Sequence, residues 1–152
     1  MAWRKRLAKD IAELTACGHK IIPEEGTEVQ LECFRVTVAG PPDSPYAGGQ
    51  WHVRLTISTE FPFKSPSVGF VERILHPNVD WSAGAVCLDA LNKNWSPTFT
   101  LRHIIEDLLP MLLANPNPDD PLNHDAAALL RRSRDEFNAE AKRTTLRYAS
   151  CI

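Results

Sequence analysis

Three observations predict an α+β fold. A helical repeat opens the chain, short alternating segments broken by prolines fill its first half, and helical patterns follow one another through the second. Helix first, strands next and helices last is the order of an α+β domain, not of a parallel sheet with crossover helices. The 152 residues suit one domain, predicted to span residues 1–152, with a hydrophobic core.

The elements follow in order. Trp3, Leu7, Ile11 and Leu14 recur at helical spacing, and Gly18 is placed to end that helix. Val29, Leu31 and Cys33 then alternate, and Phe34, Val36 and Val38 alternate in the opposite phase. The phase change predicts a bulge or a strand buried on both sides. Gly40 to Pro45 reads as a turn. Trp51, Val53, Leu55 and Ile57 predict one face of a second strand running to about Ser58. Prolines at 62 and 66 bar Phe61–Pro66 from a central strand, and a third strand is expected from Ser67 to about Val71. Short connections between the three favour an antiparallel meander. Thr100 is placed to cap a helix carrying Ile104, Ile105, Leu108, Leu109, Leu112 and Leu113, which should be the most buried one. Pro110 predicts a kink or an early end to it. Residues 115–121, with three prolines, form a helix-free connection. Asn123 is expected to cap a short helix around Ala126–Leu130. Ser133 and Glu136 form a capping-box pattern for a last helix through Phe137, Ala141 and Tyr148.

Composition narrows the function. With 43% hydrophobic and 24% charged residues the chain is ordinary for a globular protein. A formal net charge of -2 gives no argument for nucleic acid as a partner, although Arg4, Lys5, Arg6 and Lys9 make the amino terminus basic. That basic face is either a solvated surface or a docking face for an acidic partner. No segment is long and apolar enough for a membrane, and charges from Arg4 onward rule out a signal peptide. Cys17, Cys33, Cys87 and Cys151 form no CxxC pair, so free thiols and a reducing compartment, cytoplasm or nucleus, are expected.

Residues His76 to Leu91, HPNVDWSAGAVCLDAL, hold the chemistry. Cys87 follows a Pro- and Gly-punctuated loop with Asn78 upstream. Three readings stand on the local sequence: a buried small hydrophobe, a metal ligand, or a nucleophile. His76, Cys87 and His103 lack zinc-finger spacing, so no metal is expected. A cysteine hydrolase would need His103 or His124 as its base.

The rest of the chain bears on that choice. Tyr46-Ala47-Gly48-Gly49, Phe61-Pro62-Phe63-Lys64-Ser65-Pro66, His76-Pro77-Asn78, Val86-Cys87-Leu88-Asp89, Trp95-Ser96-Pro97 and Asn117-Pro118-Asp119-Asp120-Pro121-Leu122 occur in this order. The series resembles the ubiquitin-conjugating enzyme family over nearly the whole chain. Asp80–Ala83 carries one residue more than many members have between the asparagine and the cysteine. With Leu91–Trp95, Leu109–Leu113 and Leu122–Ala128, that loop is similar to the H-type branch. Members of that branch often continue into an acidic tail. This chain stops at Ile152, so tail-dependent properties are not expected of it.

The resemblance implies the family fold, with an amino-terminal helix, an antiparallel β-meander and carboxy-terminal helices. It implies that Cys87 takes ubiquitin from an activating enzyme as a thioester and passes it, with a RING-type ligase, to a substrate lysine. ATP is used upstream by the activating enzyme, and no cofactor is bound directly. Sulfur suits the role, because thioester exchange is nearly balanced while amide formation from a thioester is downhill. A free thiol of ordinary pKa, about 8.5, is a few per cent thiolate at neutral pH, and that fraction is strongly nucleophilic. By the same resemblance Asn78 stabilises the oxyanion, holds the loop, or does both. Asp120 orients the acceptor lysine, with Asp89 as a possible auxiliary. Asp119 reads better as a turn residue, and His76 as a brace rather than a base. Arg4, Lys5, Arg6 and Lys9 match the face shown to the activating enzyme, and Phe63, Ser96 and Pro97 match the ligase-contacting loops. Trp51, Ile57 and Trp95 are expected in core or loop support. A cysteine-free scaffold variant of the fold would bind without catalysis, but this chain has its cysteine.

Overall fold

The computed structural model describes residues 2–24 and 32–150. Val29, Leu31 and Cys151 lie outside the described residues. Helix α1 (Ala2–Ala16) buries Leu7 and Leu14, with Trp3 and Ile11 packed at the margin of the core. Gly18 follows with φ 90°, the left-handed conformation glycine reaches at no steric cost.

Four strands form one antiparallel sheet in sequence order: β1 (Ile22–Pro23), β2 (Cys33–Ala39), β3 (Gln50–Thr56) and β4 (Ser67–Phe70). The expected meander is therefore present. The short edge strand β1 was not foreseen, since two residues ending in a proline give no alternation to read. Phe34, Val36 and Val38 pair with Leu55, Val53 and Trp51, and Leu55 and Val53 pair onward with Val68 and Phe70. All eight are buried, so alternation with period two delivers a single apolar face. The expected bulge is absent from the described part of β2. Its pairing with β3 runs unbroken from Cys33 to Ala39, and Cys33 belongs to the outer face with Arg35 and Thr37.

Helix α2 (Leu88–Lys93) follows Cys87 directly. The Leu-rich helix is continuous but irregular: α3 (Leu101–His103), a π-helical segment (Ile104–Leu108) and α4 (Leu109–Ala114). Pro110 does not end it, since the helix runs on to Ala114. Proline cannot donate to the carbonyl one turn back, and the widened turn just before it accommodates that loss. Thr100 is the cap residue by position, yet its hydroxyl donates to Glu13 at 2.8 Å. The capping acceptor comes from α1 instead: Asp10, fully buried, accepts the Leu101 N–H at 3.3 Å and the Arg6 Nε–H at 3.1 Å. Burial raises the Asp10 carboxyl above its ordinary range, and the Arg6 hydrogen bond works against that.

The last two helices match expectation. Asn123 Oδ1 accepts from the Ala126 N–H ahead of α5 (His124–Arg132), and Ser133 Oγ accepts from the Glu136 N–H ahead of α6 (Arg134–Tyr148). Phe137 and Ala141 of α6 are buried against the core. Trp51 and Ile57 are core residues, and Trp95 packs partly against the core.

Candidate active site

Cys87 reaches the surface because of how its loop is stitched. The Phe70 N–H donates to the Gly84 carbonyl at 2.8 Å, Val86 N–H to Val68 O at 3.0 Å, and Asp80 N–H to Ala85 O at 2.9 Å. These bonds hold residues 84–86 between β4 and the His76–Asp80 loop. Gly84 has φ 74°, and a Cβ there would lie 2.0 Å from the Phe70 carbonyl oxygen, so only glycine fits. Cys87 itself donates its N–H to Asn78 O at 3.1 Å and occupies the N-cap position of α2, half-buried. It opens into a cleft of about 360 Å³ that Asn78, Asp89, Lys93, Met111, Asn117 and Asp120 also line.

The His76-Pro77-Asn78 turn is the scaffold of this cleft. His76 is fully buried. Its Nδ1 accepts the Asn78 N–H at 3.0 Å, and its Nε2–H donates to Leu112 O at 2.9 Å. Only the neutral ring with its proton on Nε2 satisfies both partners. Burial accordingly lowers its pKa to about 4, with the Leu112 bond pulling the other way. His76 is a brace, as expected. The Pro77 carbonyl accepts from the N–H groups of Leu122 and Asn123 at 2.8 and 3.0 Å.

Asn78 is buried, and its side chain is fully engaged. Nδ2 donates to Asn117 O at 2.9 Å and to Asp120 O at 3.3 Å, while Oδ1 accepts the Asn117 N–H at 2.8 Å. Both amide hydrogens thus tie down the loop that carries Asp120. The two aspartates of that loop diverge. Asp119 forms an ion pair with Arg131, which also donates to Pro118 O at 3.1 Å. Asp120 is exposed and turned into the cleft beside Cys87. Asp89, in the first turn of α2, is exposed on the same cleft.

Sequence reasoning missed two contributors. Asn117 is the partner of Asn78, and no local pattern links positions so far apart. Lys93 lies at the last position of α2, and nothing marked that helix before the fold placed it against the cleft.

The expected docking residues occupy a second region. Phe63 is 78% exposed, whereas Phe61 is buried. The Trp95 Nε1–H donates to Pro62 O at 2.7 Å, which ties the Phe63 loop to the Ser96-Pro97 loop. Pro97 is exposed and Ser96 half-buried. Arg4, Lys5 and Lys9 stand exposed on α1. Arg6 differs from them: it donates to Pro97 O at 2.8 Å and to Phe99 O, fastening α1 to the loop. The structure does not bring the hydrolase bases to the cysteine. No histidine lines the cleft among the described residues, and His103 pairs with Asp107 at 2.9 Å while its ring lies tilted against Phe99.

A half-buried cysteine at a helix start, a braced asparagine and an exposed carboxylate lining one cleft suit a group-transfer enzyme working through a thiol. Comparison with known proteins gives the family. Residues 6–145 match the family model described as ubiquitin-conjugating enzyme. The chain is 45% identical over 145 residues to ubiquitin-conjugating enzyme E2 6 of Arabidopsis thaliana, covering 95% of this chain and 78% of that protein. It is 43% identical over 146 residues to ubiquitin-conjugating enzyme E2-23 kDa of Triticum aestivum, covering 95% and 77%. Among solved structures, the E2 domain of a Toxoplasma gondii ubiquitin conjugating enzyme superposes with a TM-score of 0.82 at 32% identity, covering 96% of this chain and 98% of that one. The chain belongs to the ubiquitin-conjugating enzyme family, transferases that act through a cysteine thioester.

Proposed function

We propose that Cys87 accepts ubiquitin from an activating enzyme as a thioester and yields it to a substrate lysine with the help of a RING-type ligase. The observation that carries this reading is the cleft itself, which Cys87 shares with the exposed carboxylate of Asp120. The acceptor lysine must lose a proton before it attacks, and the presence of Asp120 and Asp89 on the same cleft supports a carboxylate that orients the ammonium and draws that proton. Nitrogen then bonds to the thioester carbon, the carbon–sulfur bond breaks, and Cys87 leaves as thiolate. Asn78 acts mainly by holding the Asp120 loop, because its amide hydrogens are already committed to two carbonyls. A share in oxyanion stabilisation requires one of those bonds to be released during transfer.

Phe63, Ser96 and Pro97 form the ligase face, and Arg4, Lys5 and Lys9 the activating-enzyme face. An exposed aromatic beside a proline is a good anchor for a partner pocket. The Asp80–Ala83 loop supports placement in the H-type branch. A cytoplasmic or nuclear setting agrees with the three described cysteines being free. The decisive test is charging. With activating enzyme, ATP and ubiquitin, the protein forms an adduct that a thiol reductant destroys, and Cys87→Ser gives at most a reductant-resistant oxyester. A reductant-sensitive adduct persisting in Cys87→Ser would move the site to Cys17, Cys33 or Cys151.

A further inference from the structure

A groove of about 310 Å³ shares no lining residue with the cysteine cleft. Glu140, Arg143, Thr144, Arg147 and Tyr148 of α6 line it, together with Trp81 from the loop that leads to Cys87. The turn carrying Trp81 is fixed: Asp80 Oδ2 accepts the Ala83 N–H at 2.6 Å, and the Gly84 N–H donates to Asp80 O at 2.9 Å. The indole meets the Tyr148 ring edge to face, with centroids 5.9 Å apart, and both rings are half-buried. Arg73, exposed just after β4, sets its guanidinium 5.2 Å from the Trp81 centroid and 5.9 Å from that of Tyr148. Arg147 lies 5.1 Å from the Tyr148 centroid. Neither arginine forms an ion pair among the described residues. The nearby carboxylates are taken, Glu72 by His52 at 2.9 Å and Glu140 by Arg143. A guanidinium resting on an aromatic face keeps the N–H donors around its edge free, and the contact fixes the fork in advance.

We propose that this groove docks an acidic peptide segment of a partner protein. The forks of Arg73 and Arg147 take its carboxylates, and an apolar side chain rests on Trp81 and Tyr148. Charge complementarity selects this occupant. Three guanidiniums against the one carboxylate of Glu140 make the groove positive, in a chain whose formal net charge is -2. Carboxylates match such forks two bonds at a time. A nucleic acid fits less well, because a phosphate backbone needs a longer basic track and Glu140 opposes it. A partner held here rests on the loop that leads to Cys87.

The test is fluorescence anisotropy with a fluorescein-labelled peptide in which Glu residues flank one Phe. Saturable binding that weakens as salt is raised is expected. The same peptide with Gln in place of Glu binds about tenfold more weakly or worse. Arg73→Ala combined with Arg147→Ala weakens the Glu peptide by about a hundredfold, and Trp81→Ala by about tenfold. Arg73→Lys combined with Arg147→Lys keeps the charge but loses the stacked forks, and is expected to cost about tenfold. Arg102→Ala, on α3, leaves binding unchanged. No binding of the Glu peptide, equal binding of the Gln peptide, or full affinity in the double Lys variant overturns the proposal. So does a loss in Arg102→Ala as large as in the double Ala variant, or a single-stranded oligonucleotide that binds more tightly than the peptide at the same salt. Neither ubiquitin nor ATP enters the measurement, so its failure leaves the role of Cys87 untouched, and failure of the charging assay leaves this groove untouched.

Discussion

His76 shows how one buried side chain constrains the chemistry next door. Both its ring nitrogens are used, in opposite senses, so a second proton has no place to go. Its folded pKa of about 4 lies below the ordinary 6.5. Between those values the unfolded chain binds a proton that the folded one refuses, so stability is complete above pH 6.5 and falls as pH drops toward 4. At about 1.4 kcal/mol per pKa unit the full loss approaches about 3 kcal/mol. Asp10 acts with the opposite sign at the acid end, because burial raises its carboxyl and proton uptake there favours the folded state. Urea unfolding midpoints measured from about pH 7 to 5 isolate the His76 part. A flat profile across that window would refute the neutral brace. The aspartate pair makes a related point, since adjacent residues of one type separate into roles once Arg131 claims Asp119.

Among the elements, the loop holding Asp120 has no regular structure of its own and takes its shape from the His76–Asn78 turn. Asn78→Ala removes two donors and one acceptor from that junction. The expected cost is about 2 kcal/mol of stability, with faster amide hydrogen exchange through residues 117–123 and slower transfer to lysine. Stability and exchange left untouched while transfer collapses would instead give Asn78 a pure oxyanion role, typically worth about a hundredfold in rate. Helix capping was partly legible, as Asn123 and Ser133 cap the helices their sequence contexts announce. Thr100 does not, because Asp10 arrives from α1 and Glu13 draws the hydroxyl away. The π-helical turn was not legible either. Proline signals a missing hydrogen bond, but whether the helix breaks or widens depends on the buried Ile104, Ile105 and Leu108 that hold it in the core.

At the scale of the molecule, the cysteine cleft and the Phe63–Pro97 surface are separate, and one packed body connects them. Trp95 joins the Phe63 loop to the Ser96-Pro97 loop, and Arg6 joins the latter to α1. Phe63, largely outside this packing, can be truncated without disturbing it. Phe63→Ala is expected to leave charging intact and to reduce ligase-dependent transfer by about tenfold or more, the scale of an interface anchor. Discharge and charging assays run side by side measure the split. Equal loss of both would show that the side chain supports the fold.

The sequence by itself determined the order of the elements, the buried stripe of each strand, two of the helix caps and the cysteine with its flanking motifs. Those features depend on short-range periodicity and on residues a few positions apart, which a linear reading can detect. Only the tertiary structure decided that Asn78 spends its amide on the Asp120 loop, that Arg6 faces inward and that Lys93 shares the cleft of Cys87. Each of those outcomes depends on groups brought together by burying one apolar face against another, and that burial selects partners by shape rather than by their distance along the chain.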